Sequence, residues 1–391
     1  MTDAEPLANI TTDIVIVGAG PVGMTLALAL AGGRHRVLLI DSRPRGASAG
    51  DPRALALSHG TRQLLESLGA WNANAGTAIH DIHISQRGGF GRTVIDRKMH
   101  DVPALGYVMR YRDLTATLAA ALDAQIDPEQ HLDNCRIVQI ETNSTGAIIT
   151  ISHNGTEKRI NARLIVHAEG TPGNDPAIKV SDYHQHAIVA EVRPTPAHNH
   201  RAWERFTPDG PLALLPLGQV YSVVFTVPPE KAAHLLTLGD ADFLTALRSQ
   251  FGSRMDFIAT GPRSSFPLAL RIRRQLTAQR QTWIGNSAQT LHPVSGQGFN
   301  LGLRDAWELA ETLLEHNGDA GDPAPLNAYA RGRRVDRAGS AGFTDGIVRL
   351  FSNDLPPLRF ARGLGLLALD LCPPLRHFVA KRMIWGARAW P

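Results

Sequence analysis

Residues 12–41 read TDIVIVGAGPVGMTLALALAGGRHRVLLID. Ile14 to Val17 is a short apolar run, the pattern of a parallel strand buried on both faces. Gly18-Ala19-Gly20-Pro21-Val22-Gly23 follows, then an Ala/Leu-rich helix to about Ala31, with Gly32-Gly33 as its stop. Val37 to Ile40 reads as a second strand ending at Asp41. Each glycine has its own reason. Gly18 permits the tight turn, Gly20 lets a pyrophosphate approach the backbone at a helix N-terminus, and Gly23 lets the helix lie close on the strand. Asp41, 23 residues after Gly18, stands where an acid accepts hydrogen bonds from ribose hydroxyls. Strand, glycine turn, helix, strand and acid in this order predict an α/β domain that binds an adenine dinucleotide. The fingerprint alone does not separate FAD from NAD.

The remaining composition narrows the class. The chain has 391 residues, 43% of them hydrophobic, enough for a sizeable core and for two domains rather than one. Net charge is +4, and the arginines are scattered, with no basic stripe interleaved with aromatics. An anionic cofactor or a membrane surface fits that balance; nucleic acid does not. The two cysteines, Cys135 and Cys372, lack metal or disulfide spacing, so a reducing compartment is expected. His80, His83, His184, His186, His198 and His200 lie close in sequence, but no carboxylate or cysteine completes a ligand set, and no metal is expected. There is no G-x-S-x-G element of a hydrolase, no basic leader, and no apolar run of about 18 residues. The expected location is cytoplasmic.

A second glycine cluster lies far along the chain. Residues 291–306 read LHPVSGQGFNLGLRDA, with Gly296, Gly298 and Gly302 inside seven residues and an apolar helical pattern after them. A helix expected to begin near Gly298–Asn300 would expose free backbone amides to a ligand with partial negative charge. Together with Gly285-Asn286-Ser287-Ala288, this stretch resembles the second flavin motif of the class A FAD-dependent aromatic hydroxylases, and within them the ubiquinone-biosynthesis hydroxylases. Arg53 to Ser58, Ile82 to Gly91 and Trp203 to Pro216 are similar to further segments of that family. The Arg87-Gly88-Gly89-Phe90-Gly91 segment is most similar to the 2-polyprenyl-6-methoxyphenol hydroxylases.

The resemblance implies a Rossmann-like FAD domain of the para-hydroxybenzoate hydroxylase type, an inserted antiparallel β-sheet substrate domain and a helical C-terminus. It divides the chain into an FAD domain at 1–80, 101–179 and 268–342, a substrate domain at 81–100 and 180–267, and a tail at 343–391. Pro/Gly-rich breaks at 208–218 and 261–267 are expected to bound elements of the sheet. Carried over residue by residue, the cofactor site comprises Gly18, Gly20, Gly23, Asp41, Arg53, Arg112, Glu169, Gly170, Gly285, Asn286, Pro293, Gly296, Gln297, Gly298 and Asn300. The glycines around Pro293–Asn300 are expected because a Cβ there would collide with the flavin ring. Three positions depart from the family pattern. Asn286 replaces an aspartate, His167-Ala168-Glu169-Gly170 replaces Gly-Ala-Asp-Gly, and Arg110-Tyr111 replaces Glu-Asn.

The implied activity is hydroxylation of the aromatic ring of a polyprenyl-phenol in ubiquinone biosynthesis, with FAD as cofactor, NAD(P)H as transient reductant and O₂ as oxidant. No catalytic residue is identified. The three departures motivate a second reading, a non-catalytic homologue acting as a scaffold in a ubiquinone-synthesis complex. The tail mixes Phe351, Leu364, Leu367, Leu371 and Phe378 with Arg359, Arg376, Lys381 and Arg382. Such a segment can lie on an anionic inner-membrane surface or pack onto the core or a partner.

Overall fold

The computed structural model describes residues 9–353 and 355–386. A mostly parallel sheet forms around Ile14–Val17, whose four side chains are all buried. The strand order is Thr277–Ala278, Gln281–Trp283, Leu164–His167, Ile14–Val17, Val37–Ile40, His131–Leu132. Ile14 lies opposite both Leu164 and Val37, so the fingerprint strand is central and apolar on both sides. Helices Pro21–Leu30, Tyr111–Gln125 and Gln297–Glu315 pack on one face through Met24, Leu118, Leu303 and Leu309. The other face carries a meander, Cys135–Thr142, Ala147–His153 and Thr156–Ala162, packed through Ile149, Ile151 and Ile160. Asn154-Gly155, with φ +51° and +82°, makes the tight turn of its last hairpin.

The second sheet runs Gln289–Thr290, Ser264–Arg273, Ile178–Thr195, Val220–Val227, Gly210–Leu217, Arg201–Thr207, Asp81–Gln86, Arg92–Asp96. Helices Pro229–Thr237 and Asp240–Phe251 cover its outer face around Phe225, Phe243 and Phe257. Two expected breaks do bound strands but are narrower than drawn, with only 208–209, 218–219 and 261–263 outside strands. Residues 210–217 form a strand whose prolines stand near its ends, Pro211 opposite Phe206 and Pro216 opposite Tyr221. Ser264–Arg273 runs unbroken past the boundary drawn at 267. Nor is there a boundary at 343, because helix Pro323–Phe351 spans it. Pro356–Leu371 and Pro373–Trp385 follow, separated at Cys372, where each Pro-Pro pair can start a helix but cannot sit inside one.

Candidate flavin site

The first subsite is the glycine turn. Gly18 has φ +106°, and a Cβ there would lie 2.5 Å from the Ala168 carbonyl oxygen. A Cβ on Gly23 would lie 1.9 Å from the Gly18 oxygen. Both residues are therefore glycine because the turn, the helix and strand Leu164–His167 touch there. Gly20 differs: a Cβ there meets nothing nearer than the Tyr111 hydroxyl at 4.0 Å. It is the N-cap of helix Pro21–Leu30, which has no side-chain cap and no acid in its first turn. That open, uncapped end suits an anion. Gly170, with φ +93°, likewise has no atom within 4 Å of a would-be Cβ.

Asp41 is buried at the end of strand Val37–Ile40. Its carboxylate accepts the Ala19 N–H at 2.8 Å and the Arg43 N–H at 2.8 Å, and pairs with the Arg43 guanidinium. Burial pushes its pKa up, but the hydrogen bonds and charge of Arg43 outweigh this and hold it below the ordinary carboxylate value. Asp41 is thus an ionised acceptor that also clamps the turn. Arg53 is bound by Asp51 through two nitrogens, and its guanidinium lies over the rings of Tyr111 at 4.9 Å and Phe266 at 5.8 Å. Phe266 belongs to the second sheet, so Arg53 lies between the start of helix Tyr111–Gln125 and that sheet. Arg112 is not drawn into this cluster. Its side chain is about half exposed and lies 3.7 Å from Asp113.

The residues that depart from the family pattern have local partners. His167 stacks on Trp283 at 4.9 Å, bonds Gln281 at 3.0 Å, and holds Glu169 at 3.2 Å through its other nitrogen. Arg273 covers the same Trp283 ring at 4.3 Å. The histidine that replaces a small residue is therefore one layer of a His–Trp–Arg stack. Asn286 is exposed, and its amide nitrogen bonds the Thr171 hydroxyl at 3.4 Å. Arg110 makes a two-point ion pair with Glu191, both bonds 2.8 Å, joining strand Gly106–Arg110 to the second sheet.

The second glycine cluster corrects the expectation about its own glycines. Gly296 has φ +61°, and a Cβ there would lie 3.0 Å from the Ala56 Cβ. A Cβ on Gly302 would lie 3.1 Å from the Gly285 Cα. Gly285, with φ +61°, sits against Val22. These three are glycine for reasons within the protein: backbone conformation, and close approach of helix Gln297–Glu315 to helix Pro21–Leu30. Only Gly298 has space, with Leu291 at ordinary contact, 3.7 Å. Pro293 and Gly298 retain partial exposure. The Gln297 side chain donates to the Met383 carbonyl at 3.4 Å, in the last helix. Asn300 is buried; it accepts the Ser58 N–H at 2.9 Å and donates to the Ala56 carbonyl at 2.9 Å and the Gly296 carbonyl at 2.7 Å. Its role in the fold is to strap the motif to strand Ala54–Ser58.

Sequence reading missed what lies beneath the motif. Asp305 accepts the Gly285 N–H at 3.0 Å and the Gln289 amide at 2.6 Å, and its other oxygen takes Arg333 Nε at 2.8 Å. Arg333 is fully buried and also bonds Glu308 and Asp336, while Arg304 bonds Asp336 at 2.8 Å. The adjacent Arg304-Asp305 pair in an otherwise apolar stretch is the one local signal; nothing near Arg333 in the chain announces it. His292, beside Pro293, has no nucleophile context in the sequence. It is 1% exposed, its Nδ1 accepts the Val294 N–H at 3.1 Å, and burial pushes its pKa down to about 3. It is neutral at any physiological pH, so the motif carries no imidazolium.

The open glycine turn, the arginines beside it and the space at Gly298 fit an adenine dinucleotide with an attached ring system. Comparison with known proteins agrees. The family model described as "FAD binding domain" matches residues 11–339. Ubiquinone hydroxylase UbiL of Rhodospirillum rubrum is 32% identical over 98% of this chain and 92% of its own. The 3-demethoxyubiquinol 3-hydroxylase of Escherichia coli is 28% identical over 96% of this chain and 99% of its own. Among solved structures, p-nitrophenol 4-monooxygenase PnpA of Pseudomonas putida superposes with a TM-score of 0.77 at 15% identity, covering 98% of this chain and 100% of that one. Fold and site define a flavoprotein: an FAD-binding Rossmann-like domain with an inserted β-sheet and a helical C-terminus, the para-hydroxybenzoate hydroxylase architecture. The chain belongs to the FAD-binding monooxygenase family related to the ubiquinone hydroxylases.

Proposed function

We propose that the protein is an FAD-dependent monooxygenase that hydroxylates the aromatic ring of a polyprenyl-phenol intermediate of ubiquinone biosynthesis, using NAD(P)H and O₂. The observation that carries this reading is the end-to-end match, 98% of this chain and 92% of the other, to a relative named for ubiquinone hydroxylation. Bound FAD would supply two-electron reduction and oxygen activation. The chain's own residues would do the rest. Gly20, Arg43 and Arg53 hold the dinucleotide, and Asp41 holds its ribose and the turn. The Pro293–Asn300 segment presents its backbone to the ring. The inner face of the second sheet positions the phenol and excludes water. The test is the visible spectrum of the purified protein, followed by anaerobic reduction and admission of ¹⁸O₂. A flavin band near roughly 450 nm, bleached by NADH or NADPH, with label appearing in a prenylated phenol, is the expected result. Colourless, folded protein that ignores added FAD would favour the scaffold reading, which Asn286 and Glu169 motivate.

A polyprenyl substrate partitions into lipid, and the C-terminal helices offer a matching face. Phe360, Leu364, Leu367 and Leu371 recur at helical spacing and are 59%, 47%, 38% and 72% exposed. Leu375 and Phe378 extend the stripe, and Arg359, Arg376, Lys381 and Arg382 accompany it, against the one acid Asp370 in residues 355–386. The opposite side of the same helix is anchored by buried Arg362 and Leu366. This arrangement supports peripheral docking on an anionic membrane at low depth. Co-sedimentation with vesicles containing anionic lipid is expected. The double variant Leu364→Glu/Leu371→Glu should reduce it at least tenfold. Equal binding by that variant, or a dimer dissociated by it, would remove the membrane assignment.

A further inference from the structure

In strand Arg201–Thr207 side chains alternate between the two faces of the second sheet. Trp203 packs edge-on to Phe251 and Arg205 bonds the Gln250 carbonyl, both on the outer, helix-covered face. Ala202, Glu204 and Phe206 therefore face inward. Phe206 identifies what lies there: it clusters with Val294 of the flavin motif and stacks on Phe351 at 3.8 Å. The strand register places Ile84 on one side of Glu204 and Ala213 on the other. Ile84 itself packs in the cluster that contains Val294. Glu204 thus stands in an apolar floor beside the motif expected to back the flavin ring.

Among the described residues its carboxylate takes no hydrogen bond or ion pair. Oε1 is buried and takes no hydrogen bond, although the residue as a whole keeps partial exposure. On the adjacent strand, His83 turns to the outer face and packs on Trp203 at 4.5 Å, and other ionisable groups nearby are engaged elsewhere. Arg110 is paired with Glu191, the Tyr183 hydroxyl donates to Asp345, which also binds Arg349, and Arg362 bonds the Asn353 carbonyl. His292 is uncharged at neutral pH. Burial alone pushes the Glu204 pKa up to about 7. A glutamine or leucine would fill this place at less cost, because a buried carboxylate without a partner is strongly disfavoured. A missing partner that arrives with the substrate accounts for it.

We propose that Glu204 is the general base of the reaction, receiving the proton of the substrate's phenolic hydroxyl. The inference rests on the hydroxylase reading above. In this step the phenolic O–H bond breaks and an O–H bond forms on the carboxylate. The electron pair stays on the phenolic oxygen and delocalises onto the ring carbons ortho and para to it, which makes the ring the better nucleophile toward activated oxygen. No electron is gained or lost. A carboxylate with a pKa near the working pH is matched to this task, and such a base contributes about 10²–10⁴ in rate.

The test uses the FAD-loaded enzyme, chemically reduced under nitrogen, then mixed with O₂ and 2-geranylphenol over pH 5.5–8.5. In the wild type the rate of hydroxylated product should fall as pH drops below about 7, as Glu204 protonates. Glu204→Gln should keep its FAD, form product about 100-fold more slowly with no acidic limb, and release hydrogen peroxide instead. Glu204→Asp should restore the limb. A second readout needs no turnover. The folded-state pKa of Glu204 is raised above 4.5, so the charged side chain destabilises the fold fully above about 7 and not at all below 4.5. Glu204→Gln should therefore raise Tm at pH 8.5 and not at pH 4.5. A flat wild-type profile overturns the proposal without any variant, and so does wild-type product formation by Glu204→Gln. If the reduced wild type hydroxylates no phenol at any pH, the hydroxylase reading itself fails.

Discussion

Replacing Arg333 by methionine is expected to destabilise the protein by about 3–5 kcal/mol, enough to unfold many domains of ordinary stability. Arg333 is fully buried and bonds Asp305 at 2.8 Å, Glu308 at 2.7 Å and Asp336 at 2.9 Å. Burial opposes its charge, but the three carboxylates outweigh this and keep it protonated. Without the guanidinium, Asp305 and Asp336 remain buried, at 1% and 4% exposure, and among the described residues Asp336 alone of the two keeps an ion pair, with Arg304. The damage reaches the site because Asp305 also holds the Gly285 N–H. Urea unfolding measures the effect; a loss under about 1 kcal/mol would mean that the network does not support the motif. The same network gives a pH signature. Burial pushes the Asp336 pKa up, but Arg304 and Arg333 outweigh it and hold it at about 2, below the ordinary 3.8. Its stabilisation is complete above pH 3.8 and disappears as pH falls toward 2, a change of about 2 kcal/mol.

The second large effect is on ligand rather than fold. Gly298→Phe is expected to leave the far-UV spectrum and Tm unchanged while weakening FAD at least 100-fold, about 3 kcal/mol. A Cβ at 298 meets only Leu291, at 3.7 Å, so the protein has room for the start of a side chain and the cofactor should be what it displaces. Gly23→Ala supplies the contrast. Its methyl would meet the Gly18 oxygen at 1.9 Å, so it should lose stability whether or not FAD is present. FAD titration by fluorescence quenching, with thermal melts of both apoproteins, separates the cases. Native affinity in folded Gly298→Phe would move the flavin ring away from this segment.

Much of the architecture was legible because it rests on local rules. A four-residue apolar run, a glycine turn and an Ala/Leu helix can form in sequence order only as strand, turn and helix, and the second apolar run then pairs in parallel beside the first. The sheet strands were less legible. Pro211 and Pro216 look like breaks in a linear reading, and only their places near the ends of the strand show why they are tolerated. The glycines of 296–302 marked a close approach, but the sequence could not say to what. Gly296 meets Ala56, 240 positions earlier in the chain, and Gly302 meets Gly285.

The sequence by itself determined the class of fold, the dinucleotide turn and the family, because these depend on residues adjacent in the chain. Tertiary structure decided the rest: that Asn300 straps one motif to another, that His167 is a layer of a stack, that Arg333 underpins Gly285 through Asp305, and that Glu204 faces inward with no partner among the described residues. Each of these depends on which distant side chains share a buried space. In such a space a polar group must find a partner or carry a cost, and no local pattern records the outcome.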